Sequence, residues 1–551
     1  MRYTFFICIA LITFSVSFAQ SEYVAVDNRV YEFLERMETL KIIKEYNSFE
    51  IPKTRREIAG YLENVMQSGN LLDENDKKIL EDLKVEFEYE LFGSFKNSSS
   101  LTGHNHDFLS QNQKYLYFYN DPGNMNLFIN LLAEGQLLYK NDMILKSSHS
   151  AFLGDIGGEI RGTLLDKFGF YIYGIDGRLY GNKDAALSRK DLQYNYKFTE
   201  TPDEVFFDDT RGYITADFNL IKFMYGRDRM NVGYGMNKIL LGNSSPLFDY
   251  LTLKIHYKFF SYSFFHGQLL GQETHSNDTI TGGVNVVAQK YMAYHRIGFD
   301  ISSDVNFGFG ETIIYGDRPI DLSYLNPFSF YKSVEHSNRD RDNAMIFVDF
   351  NNKSVKGLKI YTTFLIDDIT FGKLGTGWWG NQTILDAGFD SELLYDLLPL
   401  GITFQYTKID PYVYTHRLIR NNYTNFGYNI SSFSSPNSEV FLTGINYRFT
   451  NRIELSALFN FKIHGANPLN PDGTVKENVG GDITLGHRLQ DSEQVKFLDG
   501  YLEYSRYYTF KIIYEPVNDY FITLDVDYSN ESLQTVHNKN FDTIFTLSIK
   551  I

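Results

Sequence analysis

The sequence has little cysteine and, beyond its first twenty residues, no long apolar run. Its single cysteine, Cys8, lies in a segment that we expect to be removed, so the rest of the chain offers neither disulfides nor thiolate metal ligands. Because no later run is long enough to span a bilayer as a helix, any membrane-spanning structure must consist of strands. The 52 basic and 68 acidic residues give a net charge of −16, which argues against a nucleic-acid partner.

The first nineteen residues predict a cleaved secretory signal. Arg2 precedes an apolar stretch that ends near Val16, and small side chains at Ser17 and Ala19 occupy the positions that a signal peptidase reads. The apolar stretch is shorter than a stable transmembrane helix requires. We therefore expect residues 1–19 to be absent from the exported protein.

Aromatic residues are abundant, and many of them stand in alternating segments. The chain contains 41 Tyr and 47 Phe, residues that favour strands. In residues 453–464 the odd positions are all apolar, while most even positions are polar. The same period of two recurs in residues 358–366, 441–449 and 522–528. Such alternation is typical of a membrane strand with one face on lipid and the other on a polar lumen.

Short and long connections also alternate along the chain. Tight turns are predicted near Asp166, Asn219, Ser303 and Asn451, and at the segment Asp-Pro-Gly-Asn that begins at Asp121. The long polar stretches are approximately residues 141–155, 181–211, 228–249, 272–290, 316–343, 368–384, 409–437, 465–496 and 529–540. Outer-membrane barrels have short periplasmic turns and long surface loops, whereas a soluble sandwich has no reason to follow this pattern.

Together these features predict an all-β transmembrane antiparallel barrel over residues 85–551, located in the cell outer membrane. We expect about eighteen strands from residue 125 onward, or as many as twenty if residues 85–92 and 113–120 join the wall. An even number leaves both ends of the barrel in the periplasm. The last strand runs to the terminus, as a strand recognised by the barrel assembly machinery should, although it ends on Ile551 instead of an aromatic residue.

Residues 20–84 predict a small helical domain in the periplasm or in the barrel mouth. Apolar residues recur at helical spacing in residues 30–40. Thr54 and Glu57 form a capping box at the start of a second helix, and Asp73 can cap a third. The stretch that follows, residues 85–91, fits a strand and a helix equally well.

Motifs of enzymes and metal sites are missing from the sequence. It contains no His-Glu-x-x-His, no Gly-x-Ser-x-Gly and no phosphate-binding loop. Asp525 and Asp527 are interpreted as lumen-facing residues, and His104 and His106 as part of a solvated loop. We predict a protein that is not an enzyme and uses no cofactor or metal. One alternative is a hydrolase with its active site at the barrel rim. Its candidate catalytic residues, whose spacing matches no motif, are Ser244, His266 and His336.

Several loop segments rich in Gly, Asn, Asp and aromatic residues resemble the Wzi-like capsule-assembly family of outer-membrane proteins, in the form common in Bacteroidetes-type bacteria. The helical segment 54–59 (TRREIA) resembles that family as well. Order and spacing carry the resemblance over nearly the whole exported chain. The loop segments are 226–235 (GRDRMNVGYG), 240–251 (LLGNSSPLFDYL), 321–331 (DLSYLNPFSFY) followed by Asp342 and Asn343, 366–369 (IDDI) followed by 377–380 (GWWG), 410–416 (DPYVYTH) and 423–427 (YTNFG).

The resemblance implies an eighteen-stranded barrel with a helical bundle at its periplasmic end. It also implies a surface lectin that binds or organises capsular polysaccharide or exopolysaccharide. The expected partners are outer-membrane lipid, surface polysaccharide and the barrel assembly machinery, and we expect a monomer. The main alternative is a porin-like diffusion channel for small solutes.

A candidate glycan site follows from the chemistry of sugars, which present apolar ring faces and hydroxyl edges. Trp378 and Trp379 are the only tryptophans, and they stand side by side in a glycine-flanked loop. We hypothesise that they bind glycan together with Tyr412, Tyr414 and His416. The alternative is that these aromatic residues form the interfacial girdle found in any barrel, or pack within loops.

Overall fold

The protein is described from a computed structural model, and residues 1–19, His104 and His106 lie outside its described part. The signal-peptide prediction therefore stays a prediction. In the part of the chain that is described, no helix is both long and apolar enough to cross a membrane. The described residues are 20–102, 107–278, 282–339, 341–433 and 435–551.

Among these residues, eighteen antiparallel strands form a closed barrel, as predicted. Each strand pairs with its neighbour along the chain, and the last strand pairs with the first from Asn540 opposite Asp142 to Lys550 opposite Leu132. The strands are β1 Met125–Asp142, β2 Ser147–Leu164, β3 Phe168–Gly181, β4 Phe206–Asp217, β5 Ile221–Arg227, β6 Asp249–Tyr257, β7 Phe260–Asp278, β8 Gly282–Ser302, β9 Val305–Gly316, β10 Asn343–Val355, β11 Leu358–Asp368, β12 Gln382–Ser391, β13 Leu400–Ile409, β14 Ser438–Arg448, β15 Ile453–Ala466, β16 Tyr501–Val517, β17 Tyr520–Ser532 and β18 His537–Lys550.

The two additional strands considered from the sequence do not enlarge the barrel. Residues 85–92 are almost wholly helical. The short strand Tyr117–Asp121 pairs with the first five residues of β1, directly below the part of β1 that pairs with β18. Gln113–Tyr115 instead pairs in parallel with Ser98–Ser100. The count therefore stays at eighteen, and the seam between β18 and β1 is completed at its lower end by a short hairpin strand.

The connections divide into two sets, one at each end of the barrel. One end, called the turn end, carries only the short connections 165–167, 218–220, 258–259, 303–304, 356–357, 392–399, 449–452 and 518–519. The other, called the loop end, carries the long connections 182–205, 228–248, 317–342, 369–381, 410–437 and 467–500. Three predicted long loops are wrong, since only residues 143–146 separate β1 from β2, only residues 533–536 separate β17 from β18, and β7 and β8 extend to Asp278 and from Gly282. Strand ends that have water on both faces show no apolar alternation, so the sequence pattern does not reveal them.

Four helices precede the barrel: α1 Val30–Thr39, α2 Arg55–Gln67, α3 Glu74–Glu86 and α4 Glu88–Phe92. The capping box is confirmed, because the Thr54 hydroxyl accepts from the Glu57 amide (3.3 Å) while the Glu57 carboxylate accepts from the Thr54 amide (2.8 Å). Asp73 caps α3 by accepting from the Asp76 amide at 2.7 Å. Thus the expected helix starts are present, and the ambiguous stretch 85–91 is helical except at Phe87.

Ion pairs join these helices to strands and turns around the turn end of the barrel. Because the barrel residues in these pairs belong to widely separated strands, the helical domain covers the turn end as a whole and not one side of it. The pairs are Glu38 with Lys353 (2.8 Å) and Lys359 (3.3 Å), Lys41 with Asp304 (2.8 Å), Glu57 with Lys222 (2.6 Å), Asp82 with Arg452 (2.7 Å), and Arg29 with Glu515.

Two long connections fold into the lumen and meet the helical domain there. Asn231–Val232 of the 228–248 connection pairs with Glu50–Ile51, which follows α1. The 410–437 connection packs on the same apolar core, where the Tyr414 hydroxyl donates to the Ile239 carbonyl at 2.5 Å. The lumen along β6–β14 is therefore filled by protein.

Candidate functional site

Trp378 and Trp379 lie at the loop end, where two connections pair with each other. The Trp379 amide donates to the Glu493 carbonyl at 3.1 Å, and the Val495 amide donates to the Gly377 carbonyl at 2.7 Å. Gly377 has a φ of +75°, a conformation that glycine adopts without strain. The tryptophan-bearing loop 369–381 is thus held against the loop 467–500.

The Trp379 ring is the centre of an aromatic cluster. It stacks on His487 with ring centroids 3.9 Å apart and an interplanar angle of 6°. Tyr412 meets it edge-on at 5.8 Å, and Trp378 lies 5.6 Å away. The Lys373 ammonium is 3.0 Å from the Trp378 ring centroid, in cation–π contact. Both indoles keep part of their surface exposed.

The two tyrosines of the hypothesised site are buried beneath this surface. Tyr412 and Tyr414 have no exposed area. The Tyr412 hydroxyl donates to the Asn478 carbonyl at 2.8 Å, and Tyr414 stacks on Tyr423 with centroids 5.0 Å apart. In this conformation a ligand at the surface reaches neither ring. They act as anchors that fix the loops under the tryptophans.

His416 lies at the edge of the cluster. Its Nδ1 accepts from the Leu418 amide at 3.0 Å, and the side chain is partly exposed. Gly486 passes so close that a Cβ there would lie 2.6 Å from the His416 carbonyl oxygen. His416 is therefore beside the residue that precedes His487, whereas Tyr414 points away into the lumen core.

Sequence reasoning missed His487 and the two charged residues after it. Arg488 pairs with Asp491 at 2.8 Å, and Asp491 also accepts from the Asn478 amide group at 2.7 Å. Burial alone would raise the pKa of the Asp491 carboxyl, but the bonds from Arg488 and Asn478 outweigh it and hold that pKa below its ordinary value. The segment LGHRLQD contains no motif, so only its contact with Trp379 reveals it.

A second set of partly exposed aromatic side chains lies where the loops 182–205 and 410–437 meet. Tyr194 contacts Tyr428 edge-on at 4.8 Å, and Tyr196 contacts Phe426 in the same way at 5.7 Å. The Tyr428 hydroxyl donates to the Gln193 carbonyl at 2.8 Å. Tyr196 is 51% exposed, so this set also presents ring surface to solvent.

Along β15–β18 the lumen is lined by partly exposed polar side chains. Odd-numbered residues of β16 face inward, since Glu515 contacts Arg29 of the helical domain. On that face the Lys511 side chain is 40% exposed and lies 3.7 Å from Asp525. Asp527 accepts from Thr509 at 2.5 Å. Asp525 and Asp527 therefore line water-accessible space in the lumen, as interpreted from the sequence.

The three hydrolase candidates are not brought together. His266 lies on the outer face of β7 and bonds to the Tyr315 hydroxyl at 2.7 Å. Ser244 belongs to the 228–248 connection, and His336 to a short helix in the 317–342 connection. In the described residues no group of three or more His, Cys, Asp and Glu side chains is arranged to hold a metal ion.

The fold and these surfaces define a class of protein, a transmembrane-type β-barrel with a partly filled lumen and an aromatic, polar loop end. The sequence profile of the family described as Capsule assembly protein Wzi matches residues 129–534, and the chain belongs to this family. No curated protein matches the sequence.

A solved structure shows the same fold. The Escherichia coli outer-membrane protein Wzi, described as a carbohydrate-binding β-barrel involved in group 1 capsule assembly, gives a TM-score of 0.57 at 10% identity, over 96% of this chain and 99% of that one. Pseudomonas aeruginosa OpdK with vanillate (TM-score 0.43, 8% identity, 77% of this chain and 98% of that one) and OpdO (0.42, 8%, 77% and 97%) are more distant.

Proposed function

We propose that the protein binds or organises capsular polysaccharide or exopolysaccharide at the cell surface, from the outer membrane and without catalysis. Membership of the capsule-assembly family supports this role, as does the likeness to a carbohydrate-binding barrel. In this proposal the helical domain occupies the periplasmic side, the loop end faces outward, and the protein acts as a monomer inserted by the barrel assembly machinery.

The observation that carries the proposal is the cluster around Trp379. Partly exposed indoles offer flat apolar surface for a sugar ring, and Lys373 and Arg488 offer donors for its hydroxyl or carboxylate groups. Lys373 lies over Trp378 through a flexible side chain, so a ligand can displace it at small cost. Tyr412 and Tyr414 then serve the site as buried supports, while Trp378, Trp379 and His416 supply its surface.

The test is the double variant Trp378→Ala/Trp379→Ala. Since aromatic contacts are each worth ~0.5–1.5 kcal/mol, we expect purified variant protein to bind the cell's own polysaccharide about tenfold more weakly. Cells carrying it should shed polysaccharide that the parent retains. The matched control is Phe371→Ala/Leu374→Ala, which removes side chains that are 76% and 55% exposed from the same loop. Unchanged binding and retention by a correctly folded tryptophan variant would contradict the proposal.

The diffusion-channel alternative is favoured by one feature, the water-accessible space along β15–β18. At the turn end that space meets the residue before α1 and the helix α3, through Arg29 with Glu515 and Asp82 with Arg452. We therefore expect no steady ion conductance in planar bilayers. A stable open channel in the full-length protein would favour the alternative.

A further inference from the structure

One loop-end connection lies against the outside of the barrel instead of above it. Along β8, Tyr294 faces the lumen, where its hydroxyl donates to Glu50 at 2.8 Å. Because side chains alternate, Tyr291 and His295 face outward. His295 is covered by Tyr331, whose ring lies 4.4 Å away at 20°. Residues 317–339, with the short helices α5 Leu322–Leu325 and α6 Tyr331–Ser337, form this wall-covering loop.

The wall-covering loop descends well below the rim. Glu311, which its residues contact, is six residues above Val305, the first residue of β9. At a rise of ~3.3 Å per residue and a tilt of ~40°, this is roughly 15 Å from the turn end, near the middle of an apolar band ~25 Å tall. Phe328 stacks on Tyr262 at 5.5 Å, and the Tyr262 hydroxyl donates to the Pro327 carbonyl.

Polar side chains on the outer wall are buried beneath this loop. The Glu311 carboxylate has no exposed area and lies 3.0 Å from His295 Nε2. It accepts from the backbone amides of Tyr331 (2.8 Å) and Lys332 (3.2 Å). A carboxylate facing hydrocarbon without such partners would be strongly disfavoured. The loop is therefore part of the wall, and its own backbone satisfies the Glu311 carboxylate that it covers.

The outer side of the same loop is apolar. Leu322 is 76% exposed, Phe328 72% and Phe330 49%. Nearer the turn end of the same wall, Phe299 and Phe307 are each 37% exposed, so the apolar surface of the loop continues the apolar surface of the strands. Exposed apolar patches of this kind mark contact with lipid or protein. Continuity with the band of the wall favours lipid.

We propose that the wall-covering loop is embedded in the outer leaflet of the membrane, with Leu322, Phe328 and Phe330 in contact with lipid acyl chains. This contact is a lipid-binding surface separate from the loop-end aromatic cluster. It requires the barrel to lie in a membrane but does not require the protein to bind carbohydrate.

The test places single tryptophans in vesicles whose phosphatidylcholine carries brominated acyl chains, which quench tryptophan fluorescence on contact. The background is Trp378→Phe/Trp379→Phe, which removes both native tryptophans. Leu322→Trp and Phe328→Trp probe the loop. Ile172→Trp is the lipid-facing reference on β3, and Leu489→Trp is the aqueous reference at the loop end, where the native side chains are 57% and 105% exposed.

We expect Leu322→Trp and Phe328→Trp to be quenched nearly as strongly as Ile172→Trp, and Leu489→Trp to be unaffected. Heat-modifiable gel mobility selects folded protein, and two loop variants keep the test decisive if one misfolds. Quenching of either folded loop variant at less than half the Ile172→Trp level overturns the proposal. So does a loop tryptophan that is shielded from aqueous acrylamide yet untouched by brominated lipid, since that result indicates a second protein copy.

Discussion

Along β6–β14 the inward side chains are buried under the lumen loops, whereas along β15–β18 most of them remain partly exposed. Arg296 and Asp349 illustrate the first arc, with a bidentate pair at 2.7 and 2.8 Å in which the side chains are 4% and 0% exposed. Lys511 and Asp525 illustrate the second, 3.7 Å apart with 40% and 23% exposed. Residues of the same type therefore have opposite roles in one wall. A charged pair is structural where it lies beneath the two lumen loops, residues 228–248 and 410–437, here called the plug. It is solvated where it lines the water-accessible space.

The largest difference in stability between the two arcs is expected when one carboxylate is removed from each. Asp349→Ala leaves Arg296 buried without its partner, and breaking a buried pair in this way costs about 3–5 kcal/mol of unfolding free energy. Asp525→Ala exposes Lys511 to water that already reaches it, so the cost should stay below about 1 kcal/mol. Urea unfolding in lipid vesicles, followed by far-ultraviolet circular dichroism, measures both.

Equal destabilisation by the two substitutions would mean that the β15–β18 arc is as dry as the other. A shared structural defect would be recognised by the loss of heat-modifiable mobility. The comparison is interpretable when both variants retain it.

Thiol labelling tests the same contrast without relying on stability. The exported chain is expected to lack cysteine, so Ser529→Cys on β17 and Thr363→Cys on β11 would each be unique targets. Thr363 has no exposed surface and Ser529 is partly exposed. If reaching Thr363 requires local opening by ~2.8 kcal/mol, a maleimide should label it about a hundredfold more slowly. Comparable rates in folded protein would show that the plug does not seal the β6–β14 arc.

How well the sequence predicts each strand depends on whether its two faces meet different environments. Residues 453–464 alternate cleanly because β15 has lipid on one side and water on the other, and that contrast makes strand periodicity visible. Around Tyr294 the alternation is lost, since both faces of β8 are covered by protein. The wall-covering loop and the plug were therefore not predictable from the alternation of apolar and polar residues alone.

The site was predictable only in part, for a related reason. Composition singles out Trp378 and Trp379, and the family resemblance places them in a surface loop. Their partner His487 is more than one hundred residues away, and no local pattern indicates that contact. The burial of Tyr412 and Tyr414 was not predictable from residue type, because surface sites use the same aromatic residues. In the structure both have a left-handed backbone, with φ of +65° and +69°, and both side chains are buried.

The smallest difference in stability between the two arcs is expected when one tyrosine hydroxyl is removed from each. Tyr414→Phe leaves the buried Ile239 carbonyl without its donor, which should cost about 1–2 kcal/mol of unfolding free energy. Tyr507→Phe removes a hydroxyl bonded to Glu531 from a ring that is 36% exposed, and water can replace that bond, so the cost should be below about 0.5 kcal/mol. The same urea titration measures both. A Tyr507→Phe cost as large as that of Tyr414→Phe would place Tyr507 in a packed environment and move the boundary between the two arcs from β15 to beyond β16.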